Sequence, residues 1–112
     1  MAEQPVVEIR EPGEAVRRVV LDHAIEVGRD CDGENVADPG VSRRHLKLVP
    51  NPTSLSVVDL GSRNGTLVNG NPLSGRASLR AGDIVRLGGT DIVVVSRPVA
   101  IAPVVPPRAT VI

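Results

Sequence analysis

The run His45-Leu46-Lys47-Leu48-Val49, stopped by Pro50-Asn51-Pro52 and followed by Leu55-Ser56-Val57-Val58-Asp59-Leu60, decides the fold. Leu46 and Leu48 alternate with Lys47, which is the period-two pattern of a strand with one face in a core. The second run is dominated by Val and Leu and predicts the next strand. The Pro-Asn-Pro break between them is turn chemistry.

The same grammar extends in both directions. Upstream, Val6-Val7-Glu8-Ile9 predicts a first strand closed by Glu11-Pro12-Gly13-Glu14. Arg17-Arg18-Val19-Val20-Leu21 and Ala24-Ile25-Glu26-Val27 predict a second and third strand around a tight turn at Asp22-His23. Residues 30–40, rich in Asp, Gly and Asn, read as the longest structureless stretch, and a loop that long in a compact domain is often functional. Downstream, Thr66-Leu67-Val68, Ala77-Ser78-Leu79, Ile84-Val85-Arg86-Leu87 and Asp91-Ile92-Val93-Val94-Val95 are brief extended pieces separated by Gly, Asn and Pro. Many short strands, closely spaced turns and no 3.6-residue apolar stripe indicate an all-β chain folded as a β-sandwich. No helix is predicted.

Composition points the same way. The chain has 112 residues, one domain's worth, with 41% hydrophobic, 23% charged and 0% aromatic residues. Its core must come from Val, Leu, Ile and Ala. Lacking aromatic rings, it has no stacking platform for single-stranded nucleic acid and no wall for a methyl-lysine cage. Formal net charge is +0, so no global field draws it to nucleic acid or membrane, and any anion site must be local. A single cysteine, Cys31, excludes an internal disulfide and reads as a loop residue. No signal-like or membrane-length apolar run is present, so the expected location is cytoplasmic. Residues 1–5 read as an N-terminal extension, 6–96 as the domain, and 97–112, punctuated by four prolines, as a Pro-rich linker or tail.

Three phrases carry the chemistry: Gly28-Arg29, Ser42-Arg43-Arg44-His45 and Ser62-Arg63-Asn64-Gly65-Thr66, with Asn69-Gly70 behind them. Each lies at the edge of a strand-like run, offers hydrogen-bond donors and contributes no carboxylate. Donors gathered on loops at one end of a rigid sheet suit an anion with several oxygens. A phosphomonoester presents three acceptor oxygens and about −1.5 to −2 charge near pH 7. Arginine forks such as Arg29 and Arg43 can each grip two of those oxygens, and Ser42 adds a hydroxyl and a backbone N–H. Asn64, with donor and acceptor on one amide, suits a peptide main chain. His45 heads an apolar alternation and reads as a buttress for the Ser42 loop, while Arg44 is expected to face solvent. Singly, each phrase also has a plain reading: a surface arginine, or a turn dipeptide at Asn64-Gly65 and Asn69-Gly70.

Their order and spacing together resemble the forkhead-associated domain family. The likeness includes Asp38-Pro39-Gly40-Val41, Val58-Asp59-Leu60 and Asp83-Ile84-Val85-Arg86-Leu87-Gly88, and spans residues 6–96. The resemblance implies a sandwich of two twisted antiparallel sheets whose loops at one end bind phosphothreonine peptides. It implies that Arg29, Ser42 and Arg43 contact the phosphate and that Arg63 and Asn64 line the peptide site. Gly28, His45, Gly65, Thr66 and Asn69 would shape or brace the loops. It further implies partners that are phosphothreonine proteins, either substrates of a Ser/Thr kinase or the kinase itself, and no cofactor. Gly40 leaves no cation to select an acidic third residue after the phosphothreonine, so an aliphatic one is expected. Asp30, Asp32, Glu34 and Asp38 crowd the approach and would repel a dianion unless turned outward.

Two other functions compete. A scaffold binding unphosphorylated surfaces would make the arginines incidental. An enzyme acting on phosphate esters would need a metal cluster, a nucleophile paired with an oriented base or a phosphate-cradling strand–loop–helix; none is evident, and Ser42 near His45 lacks a third orienting group.

Overall fold

Alternation in the sequence becomes alternation in burial. In the computed structural model, which describes residues 4–52 and 54–96, Leu46 and Leu48 are buried on β5 (Leu46–Pro50) and Leu55 and Val57 on β6 (Leu55–Asp59). Val7 and Ile9 do the same on β1 (Val6–Arg10). Val85 and Leu87 follow on β10 (Ile84–Leu87), and Ile92 and Val94 on β11 (Thr90–Ser96). These inward rows interdigitate as one aliphatic core with Leu21, Val27, Val36, Val41 and Leu79. Val, Ile and Leu side chains fill the space between two pleated faces with no Phe, Tyr or Trp ring.

The remaining strands are β2 (Arg17–Val20), β3 (Ile25–Gly28), β4 (Glu34–Asn35), β7 (Leu67–Val68), β8 (Asn71–Pro72) and β9 (Arg76–Leu79). They form two sheets, ordered β2-β1-β11-β10-β7-β8 and β4-β3-β5-β6-β9. Every pairing is antiparallel except β3 with β4. The all-β sandwich expected from the sequence is the observed architecture, with no helix among the described residues. The proline-punctuated tail lies outside the described residues.

Two local expectations need correction. Strands β2 and β3 flank Asp22-His23 but do not pair with each other: β2 joins β1, and β3 joins β5. Leu21 between them is buried, and its N–H donates to the Pro5 carbonyl at 2.8 Å, so the chain leaves one sheet there and enters the other. A tight turn in sequence does not reveal which partner each strand takes. Nor are residues 30–40 structureless. Glu34–Asn35 pairs in parallel with Val27 and Gly28, and Val36 beyond it is buried.

The β1–β2, β3–β4, β4–β5, β6–β7 and β10–β11 connections gather at one end of the sandwich. Ala37 N–H donates to Glu11 Oε1 at 2.9 Å, and Gly89 N–H to Asp38 Oδ2 at 2.7 Å, tying turns of one sheet to a loop of the other. At the far end of β7, Asn69-Gly70 forms the two-residue hairpin turn to β8. Asn69 takes the left-handed φ of 51° that such a turn requires.

Candidate anion-binding site

The site begins with a backbone-on-backbone contact. A Cβ on Gly28 would collide with the Arg43 carbonyl and come within 2.9 Å of the Ser42 carbonyl, so only glycine lets the end of β3 lie against the 42–43 segment. Two bonds then fasten them: Arg29 N–H to Ser42 O at 3.0 Å and Asp30 N–H to Arg43 O at 3.1 Å. The Arg29 side chain follows the same wall, its Nε donating to Val41 O at 2.5 Å while the residue stays exposed.

His45 joins this wall to the third phrase. Its ring is fully buried. Ser42 N–H donates to Nδ1 at 3.0 Å, which makes Nδ1 the acceptor and assigns the proton to Nε2; Nε2 then donates to Gly65 O at 2.8 Å. The imidazole is thus a neutral strut between two loops. The Ser42 backbone N–H, read from sequence as a donor for the anion, is spent on this strut. The Ser42 hydroxyl accepts the Arg63 N–H at 2.9 Å, and its own proton is left to donate outward. Asn64 Nδ2 donates to Gly40 O at 2.9 Å, a second bridge between the same loops.

Two aspartates stiffen the arrangement from behind. Asp59, the last residue of β6, takes the N–H groups of Gly61 and Ser62 on Oδ1, both at 2.8 Å. Its Oδ2 takes the hydroxyls of Ser62 at 2.6 Å and Thr66 at 2.7 Å. Burial pushes the Asp59 carboxyl up, but these bonds outweigh it and hold its pKa at about 2. Asp38 takes Gly40 N–H on Oδ1, and Gly89 N–H and the Thr90 hydroxyl on Oδ2. Burial again acts upward on Asp38 and is outweighed by its donors, leaving the pKa below the ordinary carboxylate range. Neither role is legible in Asp38-Pro39-Gly40-Val41 or Val58-Asp59-Leu60 as bare phrases. An Asp followed closely by Gly and Ser is the readable signal for Asp59, since it forms local Asx-type turns.

Electrostatically, the end of the sandwich is uneven. Arg17 pairs with Glu11 and Glu34, Arg18 with Glu8, and Arg44 with both oxygens of Glu26 at 2.9 and 2.6 Å. Arg44 therefore lies out on the sheet, away from the site. Arg29, Arg43 and Arg63 are exposed, and among the described residues no carboxylate lies within ion-pair distance of them. Of the four acids near the approach, Glu34 is held by Arg17 and Asp38 is bound to Gly89 and Thr90. Asp30 and Asp32 stay exposed on the β3–β4 connection.

The structure thus gathers Gly28, Arg29, Ser42, Arg43, His45, Arg63, Asn64, Gly65 and Thr66 in one loop cluster. Asn69 stands apart. It bonds to Ile84 through backbone and side chain and donates Nδ2 to Asp83 Oδ1 at 3.1 Å, fixing the β7–β8 hairpin to β10. Cys31 is half-buried and close to carbonyl oxygens of Glu26 and Glu34; burial raises its thiol pKa, which leaves it a poor nucleophile. No group of three or more His, Cys, Asp or Glu residues placed to hold a metal occurs among the described residues. No helix there is long and apolar enough to cross a membrane.

The family model described as FHA domain matches residues 25–88, the segment that holds every element of the loop cluster. The glycogen accumulation regulator GarA of Mycobacterium tuberculosis is 40% identical over 83 residues, covering 72% of this chain and 51% of GarA. A domain solved in a study of phosphothreonine-dependent FHA domain interactions superposes with a TM-score of 0.73 at 33% identity, over 84% of this chain and 99% of that one. The FhaA FHA domain, crystallised with the intracellular domain of Rv3910, gives a TM-score of 0.70 at 31% identity, covering 80% of this chain and 98% of that domain. The chain spans about half the length of GarA and less of FhaA, where 13% is covered. With its fold, its matched core segment and its near-complete overlap with solved domains in agreement, this chain belongs to the FHA domain family.

Proposed function

We propose that this chain is a non-enzymatic signalling module that binds partner proteins at phosphothreonine. The observation that carries the reading is a set of three exposed arginines, Arg29, Arg43 and Arg63, on the loops beside Ser42, with no carboxylate within ion-pair distance among the described residues, and a Ser42 hydroxyl that already accepts Arg63 N–H and keeps its own proton to donate. An oxygen-rich anion is the complement of such a set. Arg29 and Arg43 would each donate to phosphate oxygens, with the Ser42 hydroxyl as the central donor. Arg63 and Asn64 would face the peptide, Asn64 exchanging its bond to Gly40 O for the ligand's main chain.

Hydrogen bonds to charged groups contribute about 1.5–3 kcal/mol each. Three or four, less the cost of association, reach the micromolar range, roughly −8 kcal/mol. Partners of this kind are made by a Ser/Thr kinase, and a cytoplasmic setting fits them. The reading also includes an aliphatic third residue after the phosphothreonine, because Gly40, pressed against Gly88, offers no cation.

Calorimetric titration with threonine peptides, phosphorylated and not, against wild type and Arg29→Ala tests it. The expected result is phosphate-dependent binding weakened at least tenfold in Arg29→Ala. Binding indifferent to phosphate would instead make the domain a phosphorylation-independent scaffold.

A further inference from the structure

Outside the loop cluster, the cross-strand register aligns Glu26 of β3, Lys47 of β5, Val58 of β6 and Arg76 of β9 in one row. All four point away from the core, since their neighbours Val27, Leu46, Leu48 and Val57 are buried. Glu26 accepts from Nε and Nη2 of Arg44, and those bonds lower its pKa. Lys47 and Arg76 have no ion-pair partner among the described residues. Adjacent strands are about 4.8 Å apart, so the two cations stand about 10 Å apart across Val58, close enough for their long side chains to converge on one anion.

The row sits next to the site. Leu46 and Asp59 form the adjoining register pair, Asp59 anchors the Arg63 loop, and Lys47 follows His45 by two residues. On the opposite flank stand Asp30 and Asp32. In a chain of net charge +0, the cationic side of the site is therefore the side over β5, β6 and β9.

Resting on the phosphothreonine reading, we infer that Lys47 and Arg76 form a second subsite for another anionic side chain of the same ligand, such as a second phosphorylated residue. Lys47 follows Ser42 by five residues, so at about 3.3 Å per extended residue the row lies at most about 17 Å from the Ser42–Arg63 contact, and an extended ligand places the second anion about four residues from the phosphothreonine. The ligand is then a doubly modified or acidic-flanked segment, and the subsite converts a single-phosphate contact into a two-point one.

The test titrates three peptide types: one phosphothreonine alone, one with a second phosphothreonine four residues before or after it, and one with glutamate there. Each is run against wild type and the Lys47→Ala/Arg76→Ala double variant. In one of the two placements the second phosphate is expected to strengthen wild-type binding about tenfold, and glutamate less, as a monoanion makes fewer charge-assisted bonds. The double variant is expected to lose that gain while binding the single-phosphate peptide as wild type does. A gain that is absent in wild type, or retained in the double variant, overturns the subsite alone. Failure of wild type to distinguish the single-phosphate peptide from its unphosphorylated twin overturns the phosphothreonine reading and the subsite with it.

Discussion

Asp59 and Asp38 do the same work by different routes. Asp59 closes a loop within seven residues, bonding Gly61, Ser62 and Thr66. Asp38 reaches 51 and 52 residues away, to Gly89 of the β10–β11 turn and Thr90 at the start of β11 in the other sheet. One aspartate shapes a loop; the other decides where a loop sits on the sandwich. Neither belongs to the proposed anion site, yet its donors are held between them, with His45 as the strut from one half to the other.

The largest effect is expected from removing the strut. His45→Ala leaves Ser42 N–H and Gly65 O without their partner and opens a cavity in a fully buried position. A stability loss of about 3–4 kcal/mol, read by chemical denaturation, and loss of measurable phosphopeptide binding are expected. Retained binding would mean that the two halves hold their positions independently.

Next come the aspartates themselves. Asp59→Ala strips acceptors from two backbone N–H groups, Ser62 and the buried Thr66 hydroxyl, and should cost about 2–3 kcal/mol and weaken phosphopeptide binding about tenfold. Asp38→Ala should cost about 1–2 kcal/mol. Hydrogen exchange should separate the two: faster exchange confined to residues 61–66 in the first, and spread to Gly40 and Gly89 together in the second. The same pattern in both would erase the distinction between local and long-range anchoring.

The smallest effect is the pH dependence. The folded pKa of Asp59 is about 2 against an ordinary value of 3.8. A depressed carboxyl contributes stability that is fully present above the unfolded value and is lost as pH falls through the folded one. The stability gap between wild type and Asp59→Ala should therefore be constant above about pH 5 and narrow steadily from pH 4 to pH 2. A gap that stays constant to pH 2 would contradict the bonding assigned to this carboxylate.

The two aspartates also mark where sequence reading succeeds and where it stops. Leu46, Leu48, Ile92 and Val94 disclose their strands because side-chain direction alternates along the chain itself. Donors such as Arg29, Ser42 and Arg63 are legible as types at strand ends. What is invisible is any relation fixed only when two distant segments pack. Asp38 reaching Thr90 is one such relation, Leu21 carrying the chain between sheets is another, and Glu34–Asn35 pairing in parallel beside β3 is a third. The spent Ser42 N–H belongs with these, since it depends on where the His45 ring turns.

The most direct test of the account is a pair of amide-resolved NMR titrations, one with a phosphothreonine peptide and one with its unphosphorylated twin. Phosphate-dependent shifts concentrated at Arg29, Ser42, Arg43, Arg63 and Asn64 are expected, with residues of the far β7–β8 turn unmoved. Identical responses to the two peptides, or shifts centred elsewhere on the sandwich, would contradict it.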